Sequence, residues 1–590
     1  MRLNRDNIIA VTLGLVILVA NFISGDWSPW AEGFFGVLAL LVAVFCRQYI
    51  SFGNSWFAPE RWMAITLGVT GMSIFWSTNY YTSFRMWMLL FIGFLLFAAA
   101  RTITEAQRAV FLKWFAIITT VGALWALIDQ LRTHIDRASG FLQNANALGG
   151  YLILALPITI ALALAARGVK RWIWWFTTGI VAITLARTAS LTGLASLILV
   201  GACFAIAFRN SFFRVRILIR SAVIVIALVI VAMGFNALQQ NSIQKGFRLD
   251  QVISAQHFSS SFTQRWGYIV SATHMVKDSP IVGMGLGTYQ QNYPRYAYTL
   301  FEQPRYVHNH FLEIAAEAGL VSGVAFLGLI VVIIAGAFRG KRLHTTTKEW
   351  WYLGILAALL ASSVNALFDF SWHFPAVWFG FWILAGMVFK RYEKQRRSRP
   401  LISGILLLFS VVAFVRALCV IASFTNFQRG ATALDNGQPQ VAVAYFTSGL
   451  RWDPDPYRRR QLVNALWLEA KGDANILSDA RRQADIAIRW AKTDYNGYRI
   501  AGRVAFAQKM YSDADYLFAE AIRLDHFFHL DIYNEYINFL VSQNRYSDAR
   551  NIGASVKQAY TDFVWSSNPY IQSDLKVIQG QMKSIEGKQQ

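Results

Sequence analysis

The feature that most constrains this chain is a long series of apolar runs, each close to the length of a helix that crosses a bilayer. Such a helix needs about 20 mostly apolar residues, because it rises about 1.5 Å per residue and the hydrocarbon core is about 30 Å thick. The sequence therefore predicts an all-α fold, a polytopic membrane helical bundle with about 13 spans. The predicted spans lie at 8–24, 30–46, 61–77, 85–101, 109–130, 146–166, 172–186, 189–208, 217–235, 309–338, 350–368, 374–390 and 401–424.

The charged residues are distributed as they are in membrane loops. They make up 15% of the sequence, against about 25% in a typical soluble domain, and the net charge is +22. The cations cluster between apolar runs, and no acidic residue occurs between Tyr151 and Gly234. Cytoplasmic loops carry this bias and attract anionic lipid. We therefore expect membrane lipid, not nucleic acid, as the partner of the basic segments.

The same bias orients the spans. If Arg2 and Arg5 are cytoplasmic, every even-numbered span is followed by a loop that contains arginine or lysine. The short loops between them are poor in cations, and an odd number of spans places the C-terminal segment outside, together with a long loop at 236–307. We therefore divide the chain into a membrane domain at 1–424 and a soluble extracytoplasmic helical domain at 425–590.

The C-terminal domain contains a repeated helical pattern. Small or aromatic residues share one helix face, and their triplets recur at offsets of 34 to 38 residues, close to the period of a helix–turn–helix repeat. The first unit, with Gly430 and Pro454, resembles a tetratricopeptide repeat; a plain helical bundle is the alternative. Such arrays bind protein partners or pack on a neighbouring domain. The triplets are Ala442/Phe446/Gly449, Ala480/Ala484/Ala487, Ala514/Phe518/Ala521 and Ala549/Gly553/Val556.

The richest polar sequence lies in the long loop and at the start of the next span. It contains Arg265, a Gly283-x-Gly285-x-Gly287 stretch and His308. The glycines could cradle phosphate with backbone amides, but they follow no predicted strand and lack the lysine of a phosphate loop. We therefore exclude nucleotide binding. A histidine here can accept a proton near neutral pH, and arginine can hold phosphate oxygens in a two-point contact.

Four arginines fall on the predicted outer side, where membrane insertion disfavours cations. They are Arg137, Arg187, Arg265 and Arg305. An arginine at a span end can extend its guanidinium to the interface, and His308 can be an ordinary interfacial histidine. The four arginines and His308 lie on the same predicted side of the membrane, and no soluble catalytic domain competes with them. A site for a phosphate-bearing substrate is therefore the stronger hypothesis.

Metal binding is a weak hypothesis for this sequence. The three cysteines lie in or beside apolar runs without ligand-like spacing, so we expect no disulfide and no zinc site. A site made of His308, His310 and Glu313 is disfavoured because the two histidines would point to different sides of a helix. We predict neither a metal nor a cofactor.

Four segments resemble the O-antigen ligase and O-antigen polymerase superfamily, which includes bacterial O-linked oligosaccharyltransferases. In chain order they are Arg137-Ala138-Ser139-Gly140-Phe141 with Asn144-Ala145-Asn146, Ala186-Arg187-Thr188, Arg265-Trp266 with Pro280 and the glycine stretch, and His308-Asn309 with Gly319. They fall within residues 130–390. The family often has a second glycine three residues after the first, whereas Gly323 comes one position later than that.

The resemblance implies a metal-independent glycosyltransferase of the membrane C-type fold in the bacterial cytoplasmic membrane. Its donor would be a glycan on undecaprenyl diphosphate. By similarity, Arg187 and Arg265 hold the diphosphate, and His308 activates or orients the acceptor hydroxyl. Weaker candidates for diphosphate or glycan contacts are Arg137, Asn144, Asn146, Arg305, Asn309 and Asp369.

Three acceptors fit the resemblance: another lipid-linked glycan, lipid A core, or a protein serine. We favour a polymerase or ligase, with a protein O-oligosaccharyltransferase as the alternative and the repeat domain as a site for a protein partner or acceptor. A glycolipid transporter or flippase would place ionisable groups within its spans, and few occur here, among them Lys113, Asp129 and Glu317. A non-catalytic scaffold would leave the outer arginines unexplained.

Overall fold

The structure is a computed structural model that is α-helical throughout the residues it describes. These residues are 5–22, 29–47, 57–207, 255–298, 303–340, 346–389, 400–561 and 569–587. They contain no β-strand, and one isolated antiparallel bridge joins Asn79 to Ala491. The predicted span at 217–235 and the part of the predicted long loop before residue 255 lie outside the described residues.

The first part of the chain forms a helical bundle. Its described helices, numbered in chain order, are α1 (Arg5–Phe22), α2 (Pro29–Cys46), α3 (Pro59–Met72), α4 (Tyr80–Ala100), α5 (Glu105–Thr133), α6 (Ala145–Ala165), α7 (Val169–Arg187), α8 (Leu191–Ala207), α9 (Ala255–Asp278), α10 (Tyr289–Tyr296), α11 (His310–Ala318), α12 (Leu320–Gly340), α13 (Thr346–Asn365), α14 (Pro375–Met387) and α15 (Pro400–Asp435).

Several of these helices meet the length and composition required of a membrane span. Among the described residues, five helices are both long and apolar enough, namely Tyr80–Ala100, Glu105–Thr133, Ala145–Ala165, Leu320–Arg339 and Pro400–Asp435. Shorter apolar helices occupy Ile8–Phe22, Ala31–Cys46, Leu191–Cys203, Trp350–Asn365 and Pro375–Met387. The chain is therefore a multi-pass helical protein, while the number and orientation of its spans remain predictions.

Polar caps define where the long helices begin. The side chain of Asn79 accepts a hydrogen bond from a free amide at the start of α4, and Thr104 and Asn144 do the same for α5 and α6. Such caps satisfy backbone donors that have no partner within the helix. The predicted spans at 85–101 and 146–166 lie within a few residues of α4 and α6.

The prediction of one continuous span at 309–338 is wrong. The chain forms α11 and α12 instead, and the break between them falls at Gly319. The φ of Gly319 is +87°, and an added Cβ would lie 2.0 Å from the carbonyl oxygen of Ile281. Apolar composition continues on both sides of this break, so hydropathy cannot detect the turn.

Aromatic side chains fix α14 against α4. Trp382 contacts Phe94 edge to face, with ring centroids 4.7 Å apart, and Trp378 lies 5.3 Å from Trp382. Gly93 makes this approach possible, because an added Cβ would lie 2.7 Å from the indole nitrogen of Trp378. The loop that precedes α14 is thereby held at one end of the bundle.

The C-terminal part of the chain consists of short helices that pack in sequence. They are α16 (Pro439–Trp452), α17 (Pro456–Ala470), α18 (Ala474–Trp490), α19 (Tyr495–Ala507), α20 (Tyr511–Asp525), α21 (Leu530–Ser542), α22 (Tyr546–Thr561) and α23 (Pro569–Gly587). The residues of the predicted triplets are all buried. This burial agrees with stacked helix pairs, while the tetratricopeptide assignment itself remains a prediction.

A polar contact joins the first C-terminal helices to the bundle. The hydroxyl of Tyr81 in α4 donates to Asp453 Oδ2 at 2.7 Å, and Arg416 in α15 donates to the same hydroxyl at 3.3 Å. Glu32 accepts from both Arg416 and Arg85. Because α15 continues without a break from residue 400 to 435, it connects the two parts of the chain directly.

A second polar contact lies beside the glycine stretch. The backbone N–H of Lys492 donates to Thr78 O at 2.8 Å. Gln291 in α10 donates to Thr493 Oγ1 at 2.8 Å and accepts from Tyr457 Oη at 2.7 Å. The C-terminal helices therefore pack on the same end of the bundle as α10.

Candidate active site

His308 occupies the turn directly before α11. Its φ of 61° lies in the left-handed region, which residues other than glycine rarely adopt. Asn309 caps α11 by accepting from Leu312 N at 3.0 Å, and His310 N donates to Ala366 O at 2.9 Å. The turn is thus fixed both to α11 and to the segment that follows α13.

The imidazole ring of His308 packs between aromatic side chains. It contacts Phe370 edge to face, with centroids 4.6 Å apart, and lies 5.6 Å from the ring of Tyr268. Its Nδ1 is buried without a hydrogen-bond partner in the part of the chain that the structure describes. Burial and, to a lesser extent, the charges of Arg265 and His373 lower the pKa of His308 to about 3. The ring is therefore neutral near pH 7.

Arg137 joins two of the predicted motifs. Its Nε donates to Thr188 O at 2.8 Å, and its Nη2 donates to Asn146 Oδ1 at 2.5 Å. Beside it, the backbone N–H of Ala138 donates to Arg187 O at 2.9 Å. The segment after α5 and the end of α7 are thereby held together.

Arg187 is the last residue of α7 and is partly buried. Its Nε donates to Gln130 Oε1 at 2.9 Å, and Gln130 Nε2 donates to Asp136 O at 3.0 Å. Burial lowers the pKa of Arg187, but a guanidinium remains a cation at neutral pH. Gln130 in α5 therefore orients this cation, a role that the sequence did not suggest.

Asp369 lies in the loop between α13 and α14 and interacts electrostatically with Arg265 and Arg137. Its carboxyl is buried: Oδ1 accepts from Ser371 N at 2.8 Å, and Oδ2 has no hydrogen-bond partner among the described residues. Burial raises the pKa of Asp369 to about 6, although the neighbouring arginines oppose the shift. Arg265 Nη1 makes one long hydrogen bond, 3.4 Å, to Phe368 O.

The glycine stretch is a tightly packed turn. Gly285 and Gly287 have φ values of +111° and +76°, and an added Cβ at Gly285 would lie 2.0 Å from Ser77 Oγ. The carboxylate of Glu317 accepts from Gly287 N at 2.6 Å and from Tyr289 N at 2.9 Å. The amides of Gly283 and Gly285 also have protein acceptors, namely Ser279 O and Glu317 O. The suggestion that the glycine amides cradle phosphate is therefore wrong, because all three already donate to protein groups.

Glu313 connects the histidine turn to the loop before α14. Its Oε2 accepts from Val307 N at 2.9 Å, and its Oε1 lies 2.7 Å from His373 Nε2. The ring of His373 stacks on Tyr306, with centroids 3.8 Å apart. No group of three or more His, Cys, Asp or Glu among the described side chains is placed to hold a metal ion. Glu313 thus contacts protein groups on both sides.

The structure brings most of the predicted site residues to one end of the bundle. Arg137, Arg187, Arg265, His308, Asn146 and Asp369 are connected by the hydrogen bonds and electrostatic interactions above. Asn144 and Asn309 act as helix caps. Arg305 is exposed beside the site, with its guanidinium 5.6 Å from the ring centre of Tyr306.

The sequence did not indicate the tasks of Gln130, Glu313 and Glu317. A signal was present for the two glutamates, which stand four residues apart in the otherwise apolar helix α11. Buried carboxylates in an apolar setting normally have specific partners. From the sequence, Glu313 was interpreted only as a possible metal ligand, and Glu317 only as an ionisable group within a span.

One comparison with known families bears on this site. Residues 172–327 match the family model described as O-Antigen ligase, a segment that contains Arg187, Arg265 and His308. No curated protein matches the chain. The match confirms the predicted resemblance to the O-antigen ligase superfamily over residues 172–327, and together with the apolar helices it supports a multi-pass membrane protein with a glycan-transferring domain.

Proposed function

We propose that this chain is a membrane glycosyltransferase that transfers a glycan from an undecaprenyl-diphosphate carrier to an acceptor hydroxyl. It would act as a polysaccharide polymerase or ligase at the outer face of the cytoplasmic membrane. The observation that carries the proposal is the grouping of His308 with Arg265, Arg137 and Asp369 beside the matched domain's motifs. A neutral base next to fixed cations suits transfer from a diphosphate.

The reaction exchanges one bond at the anomeric carbon of the donor glycan. The bond from this carbon to the diphosphate oxygen breaks, and its electron pair leaves with the diphosphate. A new bond forms to the acceptor oxygen, whose proton passes to a base. We assign the base to His308, and we assign Arg265 and Arg187 to the charge that develops on the leaving diphosphate.

Donor binding would strengthen His308 as a base. Burial and, to a lesser extent, the charge of Arg265 hold the pKa of His308 at about 3, so the ring has little affinity for a proton before the donor binds. A bound diphosphate adds negative charge next to this guanidinium and reduces the repulsion of an imidazolium. The acceptor hydroxyl would then be activated more strongly when the donor is in place.

A transporter is less compatible with the geometry. Proton-coupled transport needs a buried carboxyl that is free to change partners. Glu317 is instead fixed by two backbone amides, and Glu313 is held by Val307 N–H. Both carboxylates have structural tasks that a proton relay would disrupt.

The proposal predicts that purified protein transfers glycan from an undecaprenyl-diphosphate donor. Lipid-linked glycan, lipid A core and a serine peptide are offered in parallel as acceptors, and the product is measured by mass spectrometry. We expect His308→Ala and Arg265→Ala to lower the rate by about 100-fold or more, because each removes a group that acts in the transition state.

The matched control is His274→Ala, since His274 is exposed on α9, the helix that holds Arg265. This variant should keep the wild-type rate, and EDTA should leave that rate unchanged if the reaction is metal-independent. Full activity in both site variants, or a strict requirement for a divalent metal, would contradict the proposed mechanism.

A further inference from the structure

A buried carboxylate lies directly behind the histidine turn. Glu313 in α11 is 2% exposed. Its Oε2 accepts the backbone N–H of Val307 at 2.9 Å, and its Oε1 lies 2.7 Å from His373 Nε2. Because Val307 immediately precedes His308, the carboxylate holds the backbone from which the imidazole projects.

His373 restrains the same turn from the other side. Its ring stacks on Tyr306 at 3.8 Å with an interplanar angle of 14°, and Tyr306 stacks on Phe370 at 5.4 Å. Phe370 in turn contacts the ring of His308 at 4.6 Å. Glu313, His373, Tyr306 and Phe370 therefore enclose the turn in one continuous set of contacts.

The backbone of His308 requires such support. A β-carbon disfavours its φ of 61°, so an unsupported turn would relax to negative φ and redirect the imidazole. Strained backbone of this kind persists only where the surrounding structure fixes it. The hydrogen bond from Val307 N–H to Glu313 acts on the peptide nearest to the strain.

We propose that Glu313 is a positioning residue for His308. Through Val307 N–H and His373, it holds the imidazole in the orientation that receives the acceptor proton. The proposal rests on the proposed function, since it takes His308 as the base of a glycan transfer. Glu313 touches neither donor nor acceptor, and its effect on the reaction passes through the histidine.

Two substitutions separate positioning from packing. Glu313→Gln keeps an oxygen that can accept from Val307 N–H, whereas Glu313→Leu keeps a similar volume and removes the acceptor. We expect Glu313→Leu to lower kcat by about 100-fold, the scale of a misplaced general base. The KM for the lipid-linked donor should change by less than about threefold, because arginines hold the diphosphate. Glu313→Gln should stay within about threefold of the wild-type kcat.

The position of His308 can also be measured without turnover. Exchange of the imidazole C2 hydrogen in deuterated water, followed for each histidine by mass spectrometry, reports the environment of the ring. We expect this exchange at His308 to be about tenfold faster in Glu313→Leu and unchanged in Glu313→Gln. Exposed His274 is the internal reference and should exchange equally in all variants.

The outcomes separate this proposal from the proposed function. If Glu313→Leu does not fold, His373→Phe replaces it, since phenylalanine keeps the stack on Tyr306 and removes the nitrogen that faces Glu313. Unchanged kcat and unchanged exchange at His308 would overturn the positioning role, as would equal losses in the Gln and Leu variants. Absence of transfer by the wild type would overturn the proposed function, while the exchange at His308 would still test the contact.

Discussion

The three partly buried arginines near His308 differ in the hydrogen bonds that they make with the protein. Arg137 donates two hydrogen bonds that tie neighbouring segments together, and Arg187 donates to Gln130. Arg265 makes only one long hydrogen bond, to a carbonyl, within the described part of the chain. We therefore expect Arg265 to have the most capacity to bind the diphosphate of the proposed donor, and we expect Arg137 mainly to shape the site.

We expect Asp369 to make the rate of the proposed transfer depend on pH. Burial raises the pKa of its carboxyl from 3.8 to about 6, so the carboxylate that attracts Arg265 and Arg137 forms as the pH rises through about 6. We expect kcat/KM to increase through this range and the increase to be absent in Asp369→Asn. His308 cannot produce this limb, because its pKa of about 3 keeps the ring neutral throughout.

A pH–rate profile of the wild type and Asp369→Asn checks this expectation. Arg305 is exposed beside the site, and Arg305→Gln is the control for a general loss of positive charge. Arg305→Gln should retain the increase in kcat/KM near pH 6. The same limb in Asp369→Asn would show that another group titrates there.

The break between α11 and α12 is set by one glycine. A side chain at Gly319 would be strained by the φ of +87°, and its Cβ would collide with the backbone oxygen of Ile281, which cannot move aside as a side chain can. We expect Gly319→Ala to destabilise the protein by at least about 2 kcal/mol and to lower its thermal unfolding midpoint in detergent.

Gly404→Ala is the control, since an added Cβ there meets nothing within 4 Å. It should leave the midpoint equal or slightly higher. Equal midpoints for Gly319→Ala and the wild type would refute this account.

The positions of the helices could be predicted from sequence because apolar length and polar caps are local properties. The apolar run at 146–166 predicts α6 to within one residue at each end, and the structure adds that Asn144 caps it. The turn at Gly319 could not be predicted, because it depends on the approach of Ile281 from a segment that hydropathy treats separately. Arg265 and His308 were proposed from their motifs, and the structure places them close enough to interact electrostatically. The task of Gln130 was not, because it requires α5 and α7 to meet.

The membrane bundle and the C-terminal helices, in the parts that the structure describes, form one connected arrangement at the site end of the bundle. Thr78 accepts from Lys492 N–H of the C-terminal helices, donates its own N–H to Met284 O of the glycine turn at 2.8 Å, and accepts from Asn292 in α10 at 3.0 Å. Glu317 then joins the same turn to α11. The sequence allowed the repeats either to bind a partner or to pack on a neighbouring domain, and these contacts are of the second kind.

This docking can be tested with a disulfide between the two parts of the chain. Asn79 and Ala491 form an antiparallel bridge, and the bond from Lys492 N to Thr78 O identifies them as a non-hydrogen-bonded pair. Such pairs have Cα atoms about 4.5 Å apart, within the range of a disulfide. We expect Asn79→Cys/Ala491→Cys to cross-link on mild oxidation, to unfold at a higher temperature when oxidised than when reduced, and to show equal transfer rates in both states.

The comparison of oxidised and reduced protein of the same variant cancels any effect of losing Asn79, which caps α4. Exposed Cys203 and half-buried Cys419 are replaced beforehand. Because Ala491 is buried, free thiols are measured with a maleimide after unfolding, and Ala491→Cys alone is the control that should remain fully labelled after the same oxidation. If the C-terminal helices swung freely, the paired thiols would stay labelled by maleimide. If they had to undock during catalysis, oxidation would stop transfer. The disulfide would hold Asn79 beside Ala491, next to Thr78, which contacts the glycine turn. Retained activity in the cross-linked protein would therefore show that the docked arrangement is active.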